Sequence, residues 1–391
     1  MKDAFKEHIA WTSDDPIGWS VDRADGPFIY LTDGRRIIDF ISGIAVSSIG
    51  HRHPRVIKAI EEQISKHLHV MVYGEFVQAP QVRFAERLAS VLPERLQVMY
   101  FTMTGTEANE GALKMAKKYT GRTRMIAFDR SYHGDTHGSL SVTGREEYRR
   151  PFEPLLPDVT LLPFDDVAAL DAIDDATACV ITEPIQGEAG IRVPSKKWLK
   201  ALRVRCDETG ALLIFDEIQT GFGRTGALFA FQRFGVTPDI LTLAKAMGGG
   251  MPLGAFVSRK DVFSVLREDP PLSHVTTFGG HPVSCAAALA ALDVLVEEKL
   301  AARALVVEAR IRTALSFSDV TEIRGMGCML GLELSDAACA KRVVRRCMEN
   351  GVLLGWTLHS DRLIRLAPPL NIPFDTLDAA LHIIAVALKA G

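Results

Sequence analysis

Through the middle of the chain, short runs of nearly unbroken apolar residues alternate with stretches in which apolar residues recur every three or four positions. The runs are QVMYFT (97–102), RMIAFD (124–129), ACVITEP (178–184), ALLIFDE (211–217), DILTLAK (239–245) and LGAFVS (253–258). The helical patterns include EANEGALKMAKKY (107–119) and KKWLKALRVRCDETG (196–210). Strands apolar on both faces and separated by helices predict a parallel sheet covered on both sides, so residues 46–284 read as a large α/β domain. Beyond it, AAALAALDVLVEEKLAARALVVEARIRTAL reads as one long amphipathic helical region. Two short strands, GCMLGLEL and LIRLAPPL, and a final helix follow, the pattern of a smaller α+β unit over 285–391. Near the start, GPFIYLTDGRRIIDF predicts a hairpin turned at Asp33-Gly34. With residues 1–45, it is expected to pack into the smaller domain.

Composition changes this picture little. A length of 391 residues suits one large and one smaller domain. A net charge of −3 favours neither a nucleic-acid partner nor an anionic membrane surface. No apolar stretch reaches membrane-spanning length, and MKDAFKEHIAWTSDD lacks the apolar segment of a secretion signal. The six cysteines, at 179, 206, 285, 328, 339 and 347, form no C-x-x-C pair. They are expected to be reduced thiols of a cytoplasmic protein rather than a disulfide framework or a zinc site.

Candidate chemistry enters with LLIFDEIQTGFGRTG (212–226), which carries two competing signals. Gly221, Gly223 and Gly226 spell G-x-G-x-x-G, the fingerprint of a dinucleotide site. That fingerprint needs its first glycine at a strand end, a helix opening inside it and an acid about twenty residues on. Four residues separate the strand from Gly221, and the next acid, Asp239, opens another strand. A glycine-bent loop accounts for the motif more simply. Asp216 is the stronger signal: in a parallel sheet, ligands gather at the carboxyl ends of strands. A carboxylate beside Ile218 needs a cationic partner there, although an ion pair with a neighbouring arginine would also satisfy it. Lys245 ends another apolar run before AMGGGMPLG, where lost hydration would lower its pKa and free the amine to attack a carbonyl. A surface lysine would read the same way.

Gly105 and Thr106 open a predicted helix, whose N–H groups and dipole suit a phosphate, with the Thr104 and Thr106 hydroxyls as further donors. Thr104 with Glu107 also fits a plain capping box. In SYHGDTHG, Tyr132 offers a ring to a flat ligand. His133 and His137 stand four apart, but the intervening glycine argues against the helix a metal pair would need. No metal is expected. These parts converge on pyridoxal phosphate: phosphate on Gly105 and Thr106, ring between Tyr132 and Ile218, ring nitrogen on Asp216, Gln219 on the phenolic oxygen, aldehyde at Lys245.

The same residues resemble the class III (ornithine, acetylornithine and ω-amino acid) aminotransferases of the fold-type I pyridoxal-phosphate enzymes. The likeness spans nearly the whole chain, through DFISGIAVSSIGHRHP, TGTEANEGALK, YHGDTHG, EPIQGEAG, LLIFDEIQTGFGRTG, LTLAKAMGGGMPLG, TTFGGHPVSCAAALA and LIRLAPPL. It implies a homodimer with active sites at the subunit interface, where Thr277 of TTFGG reaches the other subunit's phosphate. It also implies that His133 contacts the cofactor, and that Arg365 binds the substrate carboxylate, with Glu188 as its switchable counter-charge and Tyr73 a further substrate contact. Asp135 departs from the pattern, standing where ornithine and acetylornithine enzymes usually carry an arginine. YHGDT is more like the diaminopelargonate and amine:pyruvate branches. The implied activity is transfer of an amino group from an ω-amino donor to a 2-oxo acid, either 2-oxoglutarate or pyruvate. A decarboxylase or aminomutase could use the same cofactor contacts, and a nicotinamide dehydrogenase would rest on the glycines of 221–226.

Overall fold

The computed structural model describes residues 1–14, 16–317, 319–357 and 360–389. Among these residues the central sheet has seven strands. In spatial order they are Val98–Thr102, Gly254–Ser258, Ile240–Leu243, Leu212–Asp216, Thr177–Thr182, Arg124–Phe128 and Val159–Leu162. Four of the six pairings are parallel. Gly254–Ser258 runs antiparallel to both its neighbours, so the sheet is mostly rather than wholly parallel. Val159–Leu162 has no counterpart in the sequence reading, because its four residues follow a proline-rich stretch and only Leu162 is buried. An edge strand carries little apolar signal.

The inner strands Thr177–Thr182 and Leu212–Asp216 are buried throughout, as their unbroken apolar runs require. Helices Gly105–Thr120 and Lys196–Thr209 follow the predicted patterns closely. The first carries a complete capping box: the Glu107 N–H donates to Thr104 Oγ1, and Glu107 Oε2 accepts from the Thr104 N–H. Gly121 closes it in a left-handed conformation.

The single amphipathic region expected after residue 285 is two helices, Pro282–Glu297 and Leu300–Ala314, broken at Lys299 with φ 53°. The first is not amphipathic: ten of its sixteen residues are buried. A helix enclosed on most sides loses the polar face that would mark its period. The N-terminal hairpin forms through Phe28–Leu31 and Arg36–Asp39, turned at Asp33-Gly34. Arg36–Asp39 then pairs in parallel with Val352–Leu353, which ties the two ends of the chain together. A third sheet is built from Val320–Met326, Met329–Leu334, Ser360–Leu366 and Gly355–Thr357.

Candidate active site

At the carboxyl ends of the central strands lies a cavity of about 690 Å³, within the range of small-molecule sites. The segments that build it are far apart in sequence: Met103–Thr106, Tyr132–Thr136, Glu183, Asp216 with Ile218 and Gln219, Ala244 with Lys245, and Gly250–Leu253. Most follow a strand of the sheet or open the element after it, and Gly250–Leu253 leads into the antiparallel strand Gly254–Ser258.

Asp216 ends its strand with a carboxylate that is 4% exposed. Its Oδ2 accepts from Asn109 Nδ2 at 2.8 Å and from His133 Nδ1 at 2.8 Å, and its Oδ1 accepts from the Ile218 N–H at 3.1 Å. Three donors hold the carboxylate in one orientation, and among the described residues no arginine pairs with it. The ion-pair alternative therefore fails for this residue. The other ring nitrogen, His133 Nε2, is buried and has no partner among the described residues. Asn109 also donates to the His133 carbonyl at 2.7 Å, so one side chain orients both neighbours.

Lys245 sits at φ 48°, in the left-handed region, at the turn where its strand gives way to a short 3-10 helix. Burial lowers its pKa below the ordinary 10.5, and the attraction of Asp216 and Glu188 only partly offsets this. The neutral amine is thus easier to reach than on a surface lysine.

Gly105 opens the helix against Ile218, whose Cδ1 lies 2.7 Å from where a Cβ would stand. A side chain there would push Ile218 out of the cavity wall. Thr106 Oγ1 lies 2.7 Å from Thr136 Oγ1, joining the helix start to the Tyr132–Thr136 loop. In that loop the Tyr132 hydroxyl donates to Asp135 Oδ2 at 2.8 Å. Burial, then the bond to Asp135, raises the Tyr132 pKa well above its usual value. His133 turns inward while His137 is exposed.

Behind Gln219 lies a buried ion pair. Arg365 Nη2 is 2.5 Å from Glu188 Oε1, and the Gln219 amide donates to the same oxygen at 3.2 Å. Burial works to raise the Glu188 pKa, but Arg365 and Gln219 outweigh it and hold the carboxyl below its ordinary value. In this arrangement Gln219 faces Glu188.

Glu183, unremarked in the sequence reading, also lines the cavity. It accepts from the Tyr132 N–H at 3.1 Å and the Gly187 N–H at 2.8 Å, and burial pushes its pKa up to about 7. A glutamate among the glycines of EPIQGEAG gave a clue only to the second acid, Glu188. Asn109 was missed for a plainer reason: an asparagine inside a helix carries no spacing signal.

Besides Glu188 and Arg365, which stand behind Gln219, two expected residues do not line this cavity. Thr277 is exposed on the segment after residue 270. The Tyr73 hydroxyl lies 2.9 Å from Met71 Sδ. Arg145 bonds Glu147, and neither it nor Arg149 lines the cavity.

The glycine loop does other work. Glu217 accepts from the N–H groups of Ala230 (2.6 Å) and Phe231 (2.7 Å) and from the Thr220 hydroxyl. It caps the short helix Ala230–Phe234. Asp239, the only acid near the fingerprint spacing, bonds Arg95 and Arg203.

The sequence profile of the class-III aminotransferases matches residues 10–388. An acetylornithine aminotransferase of Methanopyrus kandleri is 44% identical over 94% of this chain and 93% of its own. The chain belongs to the class III aminotransferases.

A second relative of this aminotransferase, the acetylornithine aminotransferase of Clostridium acetobutylicum, is 39% identical over 94% of this chain and 96% of its own. Among solved structures, the ornithine aminotransferase of Toxoplasma gondii superposes with a TM-score of 0.92 at 32% identity, covering 99% of this chain and 94% of that one. A transaminase from the marine bacterium Virgibacillus gives 0.93 at 27% identity, covering 100% and 98%. The aminotransferase is an enzyme that uses pyridoxal 5'-phosphate. The cavity fits that cofactor by its own chemistry. A helix N-terminus with two threonine hydroxyls suits the phosphate, a fixed carboxylate suits a ring nitrogen, and a buried lysine amine suits an aldehyde.

Proposed function

We propose that this aminotransferase moves an amino group from an ω-amino donor of the ornithine or acetylornithine kind to a 2-oxo acid, in two half-reactions at one site. The observation that carries the reading is that Asp216 and Lys245 line one cavity, with the Glu188–Arg365 pair joined to its wall through Gln219. The relatives' names supply the donor class.

In this reading Gly105 and Thr106 hold the phosphate, Tyr132 and Ile218 flank the ring, and His133 supports Asp216 from behind. Pyridoxal phosphate, when bound, supplies an aldehyde that exchanges for the amino group and a protonated ring that draws electrons from the substrate carbon. Asp216 keeps the proton on the ring nitrogen, which its three fixed donors allow without reorganisation. Lys245 Nζ takes the proton from the substrate carbon and returns it elsewhere as general base and acid. Arg365 takes a substrate carboxylate as a bidentate pair. Glu188 neutralises Arg365 while the amine donor is bound and releases it for the oxo acid. Over the full cycle the donor's C–N bond becomes C=O and the acceptor's C=O becomes C–N, with no external oxidant.

The reading extends to a homodimer. The segments around residues 68–77 and 272–278 expose Leu68, Phe76, Val77, Val275 and Phe278, and a His69–Phe278 ring contact at 5.0 Å joins them. An apolar patch of that kind fits a subunit interface. Thr277 and Tyr73 would then serve the partner's site. The division into 46–284 and 1–45 with 285–391 belongs to the same reading, supported by the pairing of Arg36–Asp39 with Val352–Leu353. Six buried, unpaired cysteines support a cytoplasmic setting.

The test is Lys245→Ala. With L-ornithine and N-acetylornithine as donors, turnover should fall by about a thousandfold or more, while the protein still binds the cofactor reversibly. Retention of most activity in that variant would sink the assignment.

A further inference from the structure

We propose that Arg324 is a positioning residue for carboxylate recognition: it anchors the backbone of the loop that carries Glu188, so that Glu188 leaves Arg365 by rotating its side chain while the loop stays in place. The inference rests on the function proposed above and deepens it.

The sheet that carries Arg365 sets the geometry. Arg324, on Val320–Met326, stands opposite Gly331 of Met329–Leu334, and Gly331 stands opposite Arg365 of Ser360–Leu366. Residues directly opposite in antiparallel strands share a face. The two arginines therefore rise from one face about 10 Å apart, two strand spacings, with only Gly331 between them in that row. A Cβ on Gly331 would meet Ile191 Cγ1 at 3.1 Å, so the bare glycine is what seats the buried Ile191 there. On one side of this seat Glu188 meets Arg365. On the other, Arg324 Nε donates to the Gly190 carbonyl at 2.5 Å.

Arg324 is itself held firmly. Its Nη1 donates to Glu322 at 2.8 Å and its Nη2 to Glu333 at 2.7 Å, and Glu333 also pairs with Arg362 at 3.1 Å. Each nitrogen of the guanidinium has an acceptor, so the planar fork cannot turn without breaking a bond. The loop needs such an anchor. Gly190 has φ 96° and Ile191 φ 56°, and the left-handed region is costly for a β-branched residue. Gln186 and Arg192 exchange backbone bonds at 3.0 and 2.9 Å, and the Gly187 N–H donates to Glu183 at 2.8 Å, which closes the base of the loop. Arg324 holds the turn above that base. A loop fixed at base and turn leaves the Glu188 side chain as the part that moves.

The two half-reactions use this anchor unequally. The donor reacts while Glu188 sits on Arg365, which demands an accurately placed loop. The acceptor reacts after Glu188 has swung away, when the loop's place matters less. Loss of the anchor should therefore harm one half-reaction more than the other, as a general loss of stability would not.

The experiment compares the native holoenzyme with Arg324→Gln, Arg324→Lys and Glu188→Gln. Hydrogen exchange of the peptide spanning residues 186–192 reports on the loop. Single-turnover absorbance of the cofactor reports on each half-reaction, with L-ornithine as donor and 2-oxoglutarate or pyruvate as acceptor. Arg324→Gln should speed exchange in that peptide by about tenfold or more, while Glu188→Gln leaves it at the native rate. In Arg324→Gln the second-order rate constant for the donor should fall about tenfold, and that for the acceptor by less than about threefold. Arg324→Lys keeps the charge, but its single nitrogen cannot reach three acceptors, so it should fall between. If the glutamine variant fails to fold, the lysine variant decides by the same two readings. Native exchange in the Arg324 variants, equal loosening by Glu188→Gln, or equal losses in both half-reactions overturns the proposal. Should the native enzyme transfer no amine at all, the function reading falls instead, and exchange alone decides the anchor. Faster exchange in Arg324→Gln supports it, and unchanged exchange refutes it.

Discussion

Asp216 has its oxygens claimed by Asn109, His133 and the Ile218 N–H before any ligand arrives. Its residue type and its place at a strand end could be read from the sequence; the donors could not, because Asn109 comes from a helix 107 positions earlier. Glu183 shows the same limit. Burial makes it an acid with a pKa of about 7, against an ordinary 4.5, even though two backbone N–H groups pull the other way. The folded protein holds that proton up to about 7, whereas the unfolded chain releases it near 4.5. Its contribution to stability is therefore complete below 4.5 and is lost as pH rises through about 7. Comparing the unfolding free energy of the cofactor-free protein with that of Glu183→Gln should show the native advantage shrinking across this window. The change should be at most about 3 kcal/mol. A gap that is flat from about pH 4 to about pH 8 would remove this acid from the account.

Elements rather than residues explain why the glycine motif marks a loop and not a nucleotide site. A G-x-G-x-x-G can be spelled by any loop that bends sharply, and only the element after it tells the two uses apart. Here that element is a five-residue helix, Ala230–Phe234, whose first N–H groups point at Glu217 instead of at a phosphate. One strand end thus turns two adjacent acids to opposite duties, Asp216 into the cavity and Glu217 into a cap. Such alternation was legible in the sequence, since side chains of a strand alternate; the partner of Glu217 was not. Glu217→Ala should cost about 2–4 kcal/mol in denaturant unfolding, for three lost acceptor contacts in a buried place. It should also weaken cofactor binding, by loosening the strand end that carries Asp216. Unchanged stability would mean the cap is dispensable. Six of the seven strands of the central sheet were read to within about two residues, because burial on both faces leaves the inner ones no polar interruption, while the edge strand Val159–Leu162 was missed. Pro282–Glu297 was misread for the same physical cause: enclosure erased its period.

At the scale of the whole molecule, one cluster of exposed apolar side chains, Leu68, Phe76, Val77, Val275 and Phe278, lies where the proposed partner contributions are. Val77 is 95% exposed, an unusual state for a valine in a chain that buries so many others. Sedimentation should give about twice the 42.8 kDa chain mass for the native protein. Val77→Asp with Phe278→Asp should give the single-chain mass and little activity. A native protein that sediments as one chain at full activity would rule out the shared site. Single-chain reasoning could name Thr277 but could not locate its target, since no residue pattern encodes which surface meets a copy of itself. Arg224 carries a last consequence. Its buried guanidinium donates to Ser48 Oγ and to the carbonyls of Cys328 and Pro368, three points spread over most of the chain. Arg365, which faces Glu188, belongs to that same late segment. During synthesis, therefore, the ribosome releases a cradle, a lysine and an aspartate long before the far wall exists. The site is completed only after Arg365 and Pro368 have emerged, which makes capture of a substrate carboxylate wait on that late segment.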